Sequence, residues 1–150
     1  MINLTKGNLF ESTAQAIVNP VNTVGVMGKG LALQFKERYP ENFKHYRQAF
    51  ETKELTTGKM LLFEVGEEAT PRYIINFPTK KHWRGKSKME YIEDGMVDFV
   101  KLIQTHDIQS VAIPPLGAGW GGLDWEEVKA CILKYLEPLE EVEFWIYEPK

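Results

Sequence analysis

The 150-residue sequence predicts a three-layer α/β domain built on a mixed, mostly parallel sheet. Two observations carry that prediction. Short apolar runs recur along the chain and alternate with segments of helical periodicity. Two glycine-rich stretches each lie between an apolar run and a helical segment, and ligands of such sheets sit beyond the carboxyl ends of strands.

Taken in order, residues 2–4 open as a strand and Lys6-Gly7-Asn8-Leu9 turns the chain. Residues 16–19 form a second strand, apolar and buried. Asn19 and Asn22 bracket Pro20 at its end, so two amides are expected where the chain leaves the sheet. Residues 31–39 carry Leu31, Phe35 and Tyr39 at helical spacing, and Pro40 stops that helix. A second helix over 42–52 places Phe43, Tyr46 and Phe50 on one face. Residues 59–65 and 72–77 read as strands joined by an acidic loop, with Pro78 ending the second. Ser87 and Glu90 make a capping box for a helix whose Met89, Ile92, Met96, Phe99 and Ile103 turn inward. Residues 110–114 are apolar enough for the middle of a covered sheet. Asp124 and Glu127 cap the last helix, which buries Trp125, Val128 and Ile132, and residues 142–147 form the final strand.

Composition sets bounds. A 43% hydrophobic content supports one domain over residues 1–150 with a substantial core. The net charge of -3 argues against coating nucleic acid by charge alone, yet leaves room for a local basic patch. Cys131 is the only cysteine and cannot form an internal disulfide, which fits a reducing, cytoplasmic setting. The opening MINLTKGNLF has no long apolar run, so neither signal peptide nor membrane span is expected. The three histidines show no metal-ligand spacing with Cys131, and no metal or cofactor is expected.

The chemistry concentrates in three stretches. Residues 17–33, IVNPVNTVGVMGKGLAL, run from strand through a polar turn and a glycine loop into a helix. Gly25, Gly28 and Gly30 leave backbone N–H groups open to a phosphate, and the helix N-terminus adds partial positive charge. Residues 117–122, GAGWGG, repeat the arrangement after a later strand, although a tight strand-to-helix connection would also use one or two glycines. Two such loops suggest a ligand with adjacent phosphates. No GK[ST] follows the second loop, and its glycines do not lie in the first βα turn where a dinucleotide GxGxxG fingerprint belongs, which argues against nucleoside triphosphate hydrolysis. Residues 80–88 hold five Lys or Arg with His82 and Trp83 and no acid. That run is either a solvated loop or a surface for single-stranded nucleic acid, through phosphate attraction and base stacking.

VNPVN followed by MGKGLAL, with SVAIPPLGAGWGGLDWEEV later, resembles the macrodomain family of ADP-ribose-binding α/β modules over nearly the whole chain. The resemblance implies the three-layer macrodomain fold. The plain VNPVNTVGVMGKGLA loop and a lysine after a strand further resemble the branch that removes ADP-ribose by lysine chemistry. This implies a ligand pose. Asn8 and the Leu9 backbone would face the adenine, with an amide where many macrodomains have Asp. Asn19, Pro20 and Val21 would shape the pocket and Asn22 would bond the distal ribose. Gly28, Gly30 and Leu31 with Gly117, Ala118, Gly119 and Gly121 would wrap the diphosphate. Trp120 or nearby apolar atoms would shield the distal sugar, and Thr79 would precede the catalytic group.

That group is Lys80, which is expected to attack the distal anomeric carbon as a neutral amine. Nearby cations would lower its pKa, and Lys81, Arg84, Lys86 and Lys88 are close enough in sequence to serve. Read without the resemblance, Lys80 is one charge in a solvated loop. In lysine-using relatives an acid in the second loop helps resolve the intermediate; the matching position here is Gly121, while Asp124 reads as a helix cap. Either water acts without that acid, or Lys80 protonates or orients the leaving base instead. The implied activity is an ADP-ribosyl glycohydrolase acting on thymidine-linked, single-stranded DNA, with Lys81, His82, Trp83 and Arg84 as DNA contacts. It would serve as antitoxin to an ADP-ribosyltransferase toxin. The alternatives are hydrolysis of ADP-ribosyl-carboxylate esters on proteins and non-catalytic binding of ADP-ribose.

Overall fold

The computed structural model describes residues 1–119 and 121–149. Among them six strands, β1 (Ile2–Thr5), β2 (Ala16–Asn22), β3 (Leu61–Glu64), β4 (Tyr73–Lys80), β5 (Ser110–Ile113) and β6 (Glu143–Tyr147), form one sheet in the order β1-β6-β5-β2-β4-β3. All neighbours pair in parallel except β3 with β4. The mixed, mostly parallel sheet is therefore as expected. Helices α1 (Gly30–Arg38), α2 (Pro40–Glu51), α3 (Met89–Thr105) and α4 (Trp125–Leu136) supply the outer layers.

Successive strand side chains point to opposite faces, so each central strand feeds two cores. Val18, Ile75, Phe77, Val111 and Ile113 meet Ile92, Met96 and Phe99 of α3 and Val128 and Ile132 of α4. Ile17, Ile74 and Ala112 meet Phe35 of α1 and Leu9. Helical spacing in the sequence identifies these inward residues correctly. Asp124 caps α4 as expected, its carboxylate accepting from the Glu127 N–H at 3.3 Å. Trp125 is half-buried rather than buried, its indole N–H donating to Glu148 Oε2 at 3.0 Å.

Three expectations are corrected. Strand β2 does not end at Asn19 but runs through Pro20 to Asn22. Strand β4 is not ended by Pro78 and reaches Lys80. The reason is local: β5 pairs with β2 only at Ala16 and Ile17, and β3 reaches β4 only as far as Asn76. Beyond those points each strand has an open edge, where a proline's missing N–H is tolerated. Third, Ser87 caps nothing. Lys88 is the N-cap of α3 without a side-chain cap bond, and Ser87 is buried with its N–H donating to Gly121 O at 3.0 Å.

A buried amide cluster ties β2, β4 and α2 together. Asn19 and Asn76 are opposite each other across the β2–β4 ladder. Asn76 Oδ1 accepts from Asn19 Nδ2 at 3.0 Å and Asn42 Nδ2 at 3.1 Å, while its own Nδ2 donates to Asn42 Oδ1 at 2.8 Å and Leu61 O at 3.1 Å. Removing Asn76 orphans polar atoms on three elements, and each orphan costs about 1–3 kcal/mol. Asn76→Ala is therefore expected to lower unfolding free energy by at least about 2 kcal/mol, read from the urea midpoint. Loss of under about 0.5 kcal/mol would show that the cluster contributes no net stability.

Candidate active site

A cavity of about 480 Å³ opens where β2, β4 and β5 end. This is the carboxyl-end location that open α/β sheets favour. Its floor is Pro20, Val21 and Asn22; Gly28, Lys29, Gly30, Leu31 and Ala32 form one wall. Pro114, Pro115, Gly117, Gly119 and Gly121 form the other, and Thr79, Lys80 and Trp83 close one end. Both glycine loops and the strand-end lysine thus meet around one space.

The placement is not uniform. Asn8, Leu9, Asn19 and Ala118 are not among the residues lining this cavity. Asn8 caps a short 3-10 turn over Leu9–Glu11, with Oδ1 accepting from the Phe10 N–H at 3.0 Å. Asn19 belongs to the buried amide cluster beneath the floor. Trp120 lies outside the described residues.

Asn22 lines the cavity but its amide is turned largely to structural use. Oδ1 accepts from the N–H groups of Val24 and Val26 at 3.1 and 3.3 Å, and Nδ2 donates to Val26 O at 2.8 Å. The Tyr46 hydroxyl lies 2.7 Å from the same Oδ1 and 2.8 Å from Asn22 O. Burial pushes the Tyr46 phenol well above its ordinary pKa, so it stays a donor. Asn22 therefore shapes the first glycine loop, and an Nδ2 hydrogen remains for a ligand.

The second loop is tight. Gly117 has φ +69°, a left-handed conformation that favours glycine. A Cβ on Gly121 would strike Gly117 O and Ser87 Oγ. That explains the missing acid: no side chain fits at 121 while the loop keeps this course.

Lys80 owes its position to a shift in the ladder. Val21 pairs with Pro78 but Asn22 pairs with Lys80, leaving Thr79 as an extra residue, a bulge that redirects the strand end. The Lys80 pKa is lowered, first by burial and second by the positive charge of Lys29 across the cavity wall. The expected tuning by Lys81, Arg84, Lys86 and Lys88 is corrected. Lys81 and Lys88 place their ammonium groups 5.8 and 5.9 Å from the Tyr91 ring centre, and Arg84 lies over Trp83. The missed residue, Lys29, stood inside the MGKG loop, which the resemblance placed around the same ligand as Lys80 without giving its lysine a role.

Among the described residues no group of three or more His, Cys, Asp or Glu is placed to hold a metal. No helix among them is long and apolar enough to cross a membrane.

Residues 18–132 match the Macro domain family model. The chain belongs to the macrodomain family. This macrodomain is 54% identical over 149 residues, 99% of its length, to a DNA ADP-ribosyl glycohydrolase of Thermus aquaticus. It matches the macrodomain of Thermus aquaticus DarG with a TM-score of 0.96 over 99% of both chains. It matches that of Mycobacterium tuberculosis DarG at 0.98, with 49% identity over 100% of this chain and 99% of the other. A DNA ADP-ribosyl transferase-DNA ADP-ribosyl glycohydrolase fusion protein of Thermosipho africanus is 36% identical over 99% of this chain and 42% of its own. Thermosipho africanus DarTG in complex with ADP-ribose matches at a TM-score of 0.91 and 36% identity, over 99% of this chain and 41% of that one. The chain spans about two fifths of the length of the curated relatives it matches, 41% for the Thermus aquaticus protein.

The Lys29–Lys80 pair makes a measurable claim. Lys29→Ala should move the Lys80 titration back toward the ordinary lysine value, but only part of the way, because burial is the larger cause. The Lys80 Cε chemical shift followed against pH would read it, and an unmoved midpoint would remove Lys29 as a tuning charge.

Proposed function

We propose that this macrodomain is a DNA ADP-ribosyl glycohydrolase that releases ADP-ribose from a thymidine-linked adduct on single-stranded DNA, as antitoxin to a DNA ADP-ribosyltransferase. The observation that carries the proposal is Lys80, an amine of depressed basicity projecting from a bulged strand end into a cavity walled by two glycine loops. The activity named for the Thermus aquaticus and Thermosipho africanus relatives supports the reaction class.

On this reading the diphosphate lies between the two loops and the distal ribose faces Asn22 and Lys80. The neutral Lys80 amine attacks the anomeric carbon. The bond from that carbon to the base nitrogen breaks, and the proton released from the attacking amine passes to the base. The sugar, now joined to Nζ, opens to an imine; water adds to the imine carbon and expels the amine, giving free ADP-ribose. Only the unprotonated amine can begin this sequence. A lowered pKa enlarges that fraction at neutral pH, so the rate should rise with pH through the Lys80 pKa and level off above it.

Lys80→Ala should reduce release of ADP-ribose from a modified oligonucleotide by at least about 100-fold, with affinity for free ADP-ribose largely kept. Lys80→Arg should be equally inactive, because guanidinium stays protonated and cannot attack. An active arginine variant would assign Lys80 the role of a fixed charge, and an active alanine variant would end the lysine mechanism. ADP-ribosyl-carboxylate protein assayed in parallel sets the substrate class, and a marked preference for it would overturn the DNA assignment.

A further inference from the structure

The segment after Lys80 is a strap fixed at both ends to the two glycine loops. At its start the Thr23 hydroxyl of the first loop donates to Lys81 O at 2.8 Å. At its end the Ser87 N–H donates to Gly121 O of the second, and the Ser87 side chain is buried against that loop. Between these anchors a turn closes on His82, with Gly85 N donating to His82 O at 2.9 Å and Arg84 N donating to His82 Nδ1 at 3.1 Å.

That turn builds a stack at the cavity mouth. The His82 and Trp83 rings are stacked, with centroids 5.4 Å apart and planes 28° from parallel, and the Arg84 guanidinium lies 4.4 Å from the indole centre. Trp83 is half-buried and reaches the cavity lining, while His82 and Arg84 are exposed. A planar aromatic and guanidinium stack beside further cations matches the chemistry of an unpaired nucleotide strand, in which bases stack and phosphates are neutralised. A protein strand offers no regular series of flat faces to such a stack. The strap's anchors hold it in place before a ligand arrives, which limits the ordering cost of binding.

We propose that the His82–Trp83–Arg84 stack is a docking platform for a base that neighbours the modified nucleotide, so the site selects its target within a single strand over the same target as a free nucleoside. The inference rests on the DNA reading of the active site and adds the residue that distinguishes strand from nucleoside.

The test compares ADP-ribosylated thymidine alone with the same group inside a short single-stranded oligonucleotide. Wild type should show a KM about tenfold lower for the oligonucleotide. Trp83→Ala should collapse that ratio toward one, and Trp83→Phe should restore most of it because a flat ring is retained. An unchanged ratio in Trp83→Ala would overturn the platform. If wild type releases ADP-ribose from neither substrate, the active-site reading fails, and the platform is then judged separately by titration with unmodified single-stranded oligonucleotide. Affinity weakened about tenfold by Trp83→Ala and recovered by Trp83→Phe supports it; equal affinity of all three proteins overturns it.

Discussion

The pairing of β2 with β4 is the constraint on which the rest of the molecule depends. It is the longest ladder in the sheet, and it continues past the points where β5 and β3 stop supporting it. What holds it there is the buried amide cluster. Asn19 and Asn76 bond across the ladder and Asn42 joins them from α2, so the register is fixed by directional bonds as well as by apolar packing. A slip of one residue would invert every side chain beyond it. The Thr79 bulge then sets Lys80 opposite Asn22, the residue that organises the first glycine loop. The amine's position and the loop's shape are thus consequences of one register.

The cavity follows from the same divergence. Because β5 leaves β2 after Ile17, the two strand ends separate, and the chain after β5 enters Pro114 and Pro115 instead of continuing the ladder. The gap is filled by neither core, since Val21 and Met27 pack with Tyr46 on one side and Phe77 packs with α3 on the other. Glycines on both walls keep it from being closed by side chains. The strap from Lys81 to Ser87 bridges those walls, held by the Thr23 hydroxyl at one end and by its own Ser87 N–H at the other.

Much of this was legible in the sequence, and the pattern of success is physical. Helical spacing found the inward residues of α3 and α4, and the Asp124 cap needs only residues three apart. The resemblance brought Lys80 and both loops together in advance. What the sequence hid depends on neighbours distant in the chain. Pro20 and Pro78 read as strand ends because their tolerance requires knowing where β5 and β3 stop. Ser87 read as a helix cap because its local pattern is right, whereas the structure turns it toward Gly121. Lys29 is 51 positions from Lys80, and only the fold makes it the tuning charge in place of four nearer cations.

Gly121 joins these threads. A Cβ there would collide with a carbonyl of its own loop and with the hydroxyl of the strap's anchor, so an acid at that position would require the loop and the strap to move together. The chain instead keeps the loop closed on the strap. On the proposed mechanism the protonated imine on Lys80 is itself electrophilic, so water would add to it without the acid that other lysine-using relatives carry. The packing that excludes an acid from position 121 traces to the contact between residues 87 and 121.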